Sequence, residues 1–498
     1  MSAPRSVRPI ASAKRIRDYE IWGRLGEGGM SEVWLARHVV LGTPVILKTV
    51  RTAFARDEAG VPRVLREARL MARIPNPRIV RALDAGEYEG QPYLVQEYVD
   101  GIDLAELDRR RRTSLGVGLP LWFVCEAMEA ACDALHSAHQ NGVIHRDVKP
   151  SNLFGSPESG IRLGDFGIAV DGHEARRHEL SGTVKFMAPE QLRGAEPDRQ
   201  ADVWGAGATA FDLRYGFAPF PDANAVLDDT RPIPFPEPAT PAEAYFQKLL
   251  RMMLARDRAA RPEDVLDTMR HFQLLRTLLR SSHRRGSFAY VDRHTFRVDE
   301  CTIGFQCADI ADAMADAIVS SANWELKMRS GCGEALRRRG GDVIEEEARR
   351  NGEQPLGSCV VTGAGALKAK RVLHAVSAWN EASCVGRAMQ RALLVADELG
   401  LRSLAIAALG TGAAGVSIEA SANAMMTALR HHLLLGGTRL RRVDVVIAEQ
   451  ARVDRYREVA EDALRGGGDG HTPPDLGLPH FGEVQAEGAT AIDARKTS

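Results

Sequence analysis

The chain has 498 residues, too many for one ordinary hydrophobic core, so two or more domains are expected. Hydrophobic residues make up 44% and charged residues 26%, the proportions of ordered globular domains rather than of a disordered or fibrous chain. The formal net charge of -1 supplies no overall pull toward nucleic acid or an anionic membrane, so neither is expected as a partner. Seven cysteines, an odd number with no Cys-x-x-Cys pair, argue against a disulfide framework and a zinc ribbon and fit a reducing, cytoplasmic setting. No stretch approaches the 18 uninterrupted apolar residues that a membrane span needs.

Residues 1–18 are rich in Arg, Pro and Ser without an apolar segment, and read as a flexible leader rather than a signal peptide. From Tyr19 to about Tyr98, short β-type runs surround one amphipathic helix around Pro62 to Ile74, which predicts a small sheet with one helix. From Leu104 to about Leu279 the period turns helical, as in Leu121 to Gln140 and Ala242 to Leu254, with glycine-containing loops between. The run Arg109-Arg110-Arg111-Arg112 is expected on a solvated helix face. A basic connector over 280–294 leads to a third region. There, strand-like runs (Ala317 to Val319, Ser358 to Val361, Leu404 to Ala407, Val443 to Ile447) alternate with helical ones (Cys384 to Leu399, Ile418 to Leu433), the signal of an α/β domain over 295–465. The tail 466–498, rich in Gly, Pro and Asp, reads as disordered.

Between two strand-like runs lies Gly26-Glu27-Gly28-Gly29-Met30-Ser31-Glu32-Val33, where missing side chains let backbone N–H groups approach phosphate oxygens. By itself such a turn is most often just a hairpin. The next strand carries Lys48, and the helix after it Glu67, a carboxylate able to orient that cation. The informative segment is His145-Arg146-Asp147-Val148-Lys149-Pro150-Ser151-Asn152, followed by Asp165-Phe166-Gly167. Phosphoryl transfer needs one carboxylate for the substrate hydroxyl, plus an amide oxygen and a second carboxylate for Mg²⁺, and Asp147, Asn152 and Asp165 have those types in that order.

Gly182-Thr183, Ala188-Pro189-Glu190, Asp202-Val203-Trp204-Gly205 and Arg261-Pro262 continue the series, and together these motifs resemble the protein kinase family across residues 19–279. The resemblance implies a bilobal α+β fold that moves the γ-phosphate of ATP to Ser or Thr hydroxyls of protein substrates. It implies Asp147 as catalytic base, Lys149 beside it in the serine/threonine form, and Lys48 with Glu67 as the ion pair of the active arrangement. Asn152 and Asp165 would hold Mg²⁺, and Gly26, Gly28, Val33, Lys48, Glu97 and Val99 would hold ATP, with 96–99 as the hinge facing adenine. Arg146 before the base implies a phosphorylated activation segment, with Ser181 its expected acceptor, while Thr183 packs beside Asp147. Two departures stand out: Ile46 replaces the usual alanine over adenine, and the segment from Asp165 to Glu190 is short.

Downstream, Asp309-Ile310, Asp316 to Asn323, Ser330-Gly331-Cys332-Gly333, Val360 to Leu367 and Ala408 to Gly415 together resemble a macro domain, the ADP-ribose-binding α/β/α fold. The whole chain is thus expected to be multidomain, a kinase fold followed by a macro-like α/β/α domain. Two glycine-containing loops, each leaving a strand and opening a helix, offer N–H groups and a positive dipole end to a diphosphate. Gly331, Cys332 and Gly333 form one, and Gly410, Thr411, Gly412 and Gly415 the other, with Asp309 for adenine and Asn323 for a ribose. Ser320 stands where the family has its first asparagine, Ala413-Ala414 lacks the stacking aromatic, and Gly333 lies near the aspartate of hydrolytic members. A reader of ADP-ribose or of ADP-ribosylated protein is therefore expected. The alternatives are a catalytically idle kinase-fold scaffold carrying that reader, and a C-terminal ADP-ribosyl hydrolase.

Overall fold

The computed structural model describes residues 15–27, 31–50, 68–69, 71–88, 91–156, 159–166, 182–282, 287–379 and 382–466. Gly28, Glu67 and Ser181, named above, lie outside them, as do 1–14, 467–498 and most of the expected helix from Pro62, of which Ala68, Arg69 and Met71 are helical.

The first lobe is a six-stranded sheet of β1 (Arg15–Ile16), β2 (Tyr19–Glu27), β3 (Ser31–His38), β4 (Pro44–Val50), β5 (Ala82–Tyr88) and β6 (Gln91–Glu97), in the order β1-β2-β3-β4-β6-β5. Alternation along the strands divides its faces. Tyr19, Ile21, Ala36, Val45, Leu47, Tyr93 and Val95 form one buried cluster. Leu35 and Ile46, paired across β3 and β4, look the other way and join a cluster that contains residues of the C-terminal region.

The second lobe is helical. After β7 (Ile102–Asp103) come α1 (Leu104–Leu115) and α2 (Leu121–Gln140), then β8 (Leu153–Ser156) and β9 (Gly160–Leu163), which complete a three-stranded sheet with β7. The helices α3 (Arg199–Tyr215), α4 (Pro241–Met253) and α5 (Val265–Ser282) follow. α1 starts where the Asp103 side chain accepts the Glu106 N–H (2.8 Å), and it stops at Gly116, whose φ of 71° suits a residue without Cβ. α2 buries Val124, Met128, Ala131 and Leu135 along one side against α3 and α5, placing the core of this lobe around it.

The C-terminal region is a three-layer α/β/α domain on a nine-stranded mixed sheet. Its elements are β10 (Phe288–Asp292), β11 (Thr295–Val298), β12 (Cys301–Cys307), β13 (Ala317–Asn323), α6 (Gly331–Gly340), α7 (Val343–Arg349), β14 (Cys359–Gly363), β15 (Arg371–Trp379), β16 (Ala382–Ser383), α8 (Val385–Glu398), β17 (Ser403–Ala407), α9 (Ile418–Leu435), β18 (Arg442–Ile447) and α10 (Gln450–Arg465). The order is β10-β11-β12-β18-β17-β13-β15-β14, with β16 beside β15, and β12, β18, β17, β13 and β15 run parallel. Parallel strands are buried on both faces, and the side chains sort accordingly. Val319, Leu404, Ile406 and Val445 face α8, α9 and α10, while Ile318, Ala405 and Val446 face the side of α6 and α7. Residues 288–292, placed in a connector by the sequence, are a strand paired with β11.

The Arg109–Arg112 run is not a solvated face. Arg111 is 1% exposed and donates to the carbonyls of Leu435 (3.0 Å) and Gly436 (2.9 Å), and Arg110 reaches Glu398 (3.1 Å), because the C-terminal domain lies against α1. A one-helix period cannot report what another domain lays over it.

The second lobe is locked by Arg261, which meets Glu190 with two parallel bonds of 2.6 and 2.8 Å and stacks on the Trp204 ring at 5.1 Å. Burial disfavours the Glu190 anion, but the hydrogen bonds and charge of Arg261 outweigh it and hold the carboxyl below its ordinary 4.5. Its stabilisation is therefore complete above about pH 4.5 and is lost as pH falls through the lower folded-state value. Glu190→Gln should cost about 3 kcal/mol at pH 7 and remove that acid-sensitive component, read as the urea midpoint from tryptophan fluorescence between pH 3 and 7.

Candidate functional site

The loop from Val143 to Asn152 crosses the second lobe between α2 and β8, and one buried carboxylate sets its path. Asp202, near the start of α3, accepts the backbone N–H groups of His145 (2.8 Å) and Arg146 (2.7 Å), while His139 meets it at 2.7 Å. Its side chain is fully enclosed. Gln191 donates to the Arg146 carbonyl (3.0 Å), and the Thr209 hydroxyl donates to that of Val148 (3.1 Å). With both its donors and its acceptors bound, the loop holds Arg146 at φ 67°, a left-handed conformation costly for a side-chain-bearing residue.

The loop so held gathers the polar side chains named in the sequence. Lys149 Nζ donates to Asp147 Oδ2 (2.7 Å), and Asn152 Nδ2 donates to the Asp147 carbonyl (2.7 Å) and to Oδ2 (3.2 Å). Asp147 Oδ1 is buried and has no hydrogen-bond partner among the described residues, while the side chain as a whole is 26% exposed. The second loop is tied to the first: Gly164 N–H donates to the Asn152 carbonyl (2.9 Å), and His145 bridges the Gly164 carbonyl (3.0 Å) and the Asp147 N–H (3.2 Å). The latter pair fixes the tautomer, with Nε2 donating and Nδ1 accepting.

Asp165, at φ 56°, is thereby set beside Asn152 and receives the ammonium of Lys48 from β4. Burial raises its carboxyl pKa, but the Lys48 charge and hydrogen bond prevail, with Lys149 and His145 adding, so the group lies below the usual carboxylate range. Gly26, Val33 and Lys48 stand side by side across β2, β3 and β4. Glu97 turns its side chain away from them, to Arg162 (2.7 Å) and Arg81 (3.2 Å), and Val99 is buried in the strap between the lobes.

In the C-terminal domain the two glycine loops meet at the carboxyl ends of neighbouring parallel strands, β13 and β17, where open α/β sheets form their crevices. Gly331, Cys332 and Gly333 open α6, and Cys332 Sγ lies 3.5 Å from the Ser320 hydroxyl. The Gly410 N–H donates to the Ser321 hydroxyl (3.2 Å), which also meets Ser377 (2.8 Å). Gly410 has φ 77°, and a Cβ there would lie 2.9 Å from Val416, so the turn requires glycine. The loop closes through Gly415 N–H to the Gly412 carbonyl (3.0 Å) and the Thr411 hydroxyl to that of Ala408 (2.9 Å). A Cβ at Gly331, Gly412 or Gly415 would meet nothing within 4 Å, so one side of both loops is open.

Asn323 and Asp309 are used locally. The Asn323 amide accepts from Lys327 N–H and donates to the Lys327 carbonyl, both at 3.0 Å, and Asp309 caps Ala311 (2.9 Å). Ser321 and Ser377, which join the loops, were not singled out from the sequence. The only signal was the neighbouring Ser320, which stands where an asparagine is expected.

The model for the protein kinase domain matches residues 19–272, just over half of the chain, and the model for the macro domain matches 319–425. Among curated proteins, the serine/threonine-protein kinase PknF of Mycobacterium tuberculosis is 36% identical over 279 residues, covering 53% of this chain and 58% of that protein. The serine/threonine-protein kinase PknB of Mycobacterium leprae is 38% identical over 210 residues, covering 41% of this chain and 33% of that protein. The chain thus spans 58% or less of the length of these relatives. A crystal structure of the Mycobacterium tuberculosis PknI kinase domain aligns with 54% of this chain and 100% of its own, at 30% identity and TM-score 0.43.

Because Asp202 alone satisfies two buried backbone donors, Asp202→Ala should release the loop. Amide exchange at His145 and Arg146 is expected to quicken on the order of 100-fold, corresponding to about 3 kcal/mol, with the α9 amides unchanged in the same hydrogen-exchange experiment.

Proposed function

The chain belongs to the protein kinase family and carries a macro domain behind its kinase domain, and on that premise we propose that it is an ATP-dependent protein serine/threonine kinase with a C-terminal reader of ADP-ribose. The observation that carries the first part is the convergence of Asp147, Asn152 and Asp165 from two tied loops, with one Asp147 oxygen lacking a partner among the described residues. Asp147 accepts and orients the proton of the attacking hydroxyl, while Lys149 holds its Oδ2 and fixes the carboxylate plane. Lys48 takes the α- and β-phosphates and keeps Asp165 ionised for the metal.

Magnesium suits this donor set, since it is bound through one or two protein oxygens plus the substrate's phosphates rather than by a dedicated cage. Asn152 and Asp165 would hold it, and it would supply neutralisation of charge on the transferring phosphoryl group. Gly26, Val33 and the strap through Glu97 and Val99 receive the nucleotide. A cytoplasmic setting accords with the free thiols of the described cysteines.

For the second part, the support is the pair of glycine loops joined through Ser321 and open on one side. Asn323 is committed to the Lys327 backbone, and Gly333 leaves no carboxylate at its position. These favour binding over hydrolysis.

With ATP, Mg²⁺ and a generic basic protein, the purified chain should yield phosphoserine or phosphothreonine, and Asp147→Asn should lower the rate by at least about 10²-fold. Equal labelling by both forms would exclude the kinase assignment. In calorimetry, ADP-ribose should bind the wild-type chain, and Gly412→Val, which adds its side chain in open space, should weaken that binding about tenfold or more without lowering the melting midpoint. Release of ADP-ribose from a modified protein would show a hydrolase instead.

A further inference from the structure

Lys48 marks which face of the small sheet looks into the cleft, because its ammonium meets Asp165 there. Leu35 and Ile46 are paired two positions along from Val33 and Lys48 in the same register, so they share that face, and Ile46 is paired on its other side with Gln96, just before the strap. This hinge end of the cleft face is covered. Leu25, Leu35 and Ile46 belong to one continuous apolar cluster with Trp22 and, from the C-terminal domain, Trp324 and Leu326, and within it Leu35 and Leu326 are each 1% exposed.

The strap is held from outside as well. Asp100, next after Val99, caps the start of α8, accepting the N–H groups of Gly386 (3.1 Å) and Arg387 (3.0 Å). Arg387 donates to the Tyr98 hydroxyl (3.4 Å) and stands over its ring at 5.9 Å. On the large-lobe side, Arg391 meets Glu106 (2.7 Å), and Gln390 donates to the Gly155 carbonyl (3.3 Å). One rigid domain therefore grips the small lobe, the strap and the large lobe together. Protein kinases open and close by rotating their lobes about this strap, and a body fastened to both sides opposes that rotation.

The contact is built to separate. Arg111 Nε, Arg387 Nε, Arg391 Nε and Gln390 Oε1 are buried in it without hydrogen-bond partners among the described residues, so undocking returns to water groups that the docked state leaves unsatisfied. At the strap and along the large lobe the contact is polar, as between domains that move relative to each other.

We propose that the C-terminal domain is an intramolecular clamp on the nucleotide cleft: docked through Trp324 and Leu326 on the small lobe and α8 on the strap and large lobe, it withholds the cleft from ATP until it undocks. This rests on the kinase reading above and adds its control. Only the undocked fraction accepts nucleotide, so apparent affinity falls in proportion to that fraction.

The test uses the full chain and a fluorescent, non-hydrolysable ATP analogue with Mg²⁺. Trp324→Ala and Arg391→Glu should each tighten binding by about tenfold, and Arg391→Glu combined with Glu106→Arg should restore the wild-type value. The added negative charge of Arg391→Glu would by itself weaken binding of an anion, so tightening there reports undocking. Should Trp324→Ala fail to fold, the charge exchange carries the test alone. Equal affinity in wild type and variants, with phosphotransfer intact, overturns the clamp and leaves the kinase reading standing. No binding in any form, wild type included, overturns the kinase reading and the clamp with it.

Discussion

A single buried carboxylate, Asp202, holds the loop from Val143 to Asn152 in place. Two backbone N–H groups and a histidine converge on it, and from there the path runs without slack through Arg146, Asp147, Asn152 and Gly164 to Asp165. Left-handed conformations at Arg146 and Asp165 are each unfavourable by roughly 1–2 kcal/mol, so the chain adopts them only where its surroundings decide the matter. The neighbours do so by binding the loop on both its donor and its acceptor sides. Asp202, Gln191 and Thr209, beneath the loop, thus determine where Asp147 and Asn152 point.

The two domains are joined by different chemistry on the two lobes. Against the small lobe the contact is apolar and non-directional, whereas at the strap and along α1 it is made of charged groups with specific partners. The first supplies most of the attraction, and the second fixes the angle at which the C-terminal domain sits. Asp100 serves both purposes: it is part of the strap between the lobes and the cap of the helix that lies against them.

Fold class was legible because each region carries its own period. α2 runs over the residues its helical repeat marked, and the alternation of strands and helices downstream gave the parallel sheet, although β13 extends to Asn323, four residues beyond the expected end. The polar residues from His145 to Asn152 were readable because the motif's residue types and order are distinctive. Less local facts were not. Nothing in the sequence near Asp147 says that a carboxylate 55 positions later lies beneath its loop, or that Arg111 faces Leu435 rather than water. Asn323 shows the same limit at short range, since an amide suited to a ribose is equally suited to closing a five-residue turn on Lys327. The β10 strand was read as connector because its basic neighbours masked a short alternating run.

Trp22 and Leu35 keep only 3% and 1% of their surface because another domain lies over them. Severing the chain in the connector ahead of β10 would strip that cover and leave a tryptophan, a leucine and an isoleucine side by side in solvent on the small lobe, with a matching greasy patch on the other fragment. Each half would then be a sticky body seeking a copy of itself. The domain boundary drawn by sequence motifs is therefore not the boundary of what is soluble alone, because each fold carries a patch that the other covers.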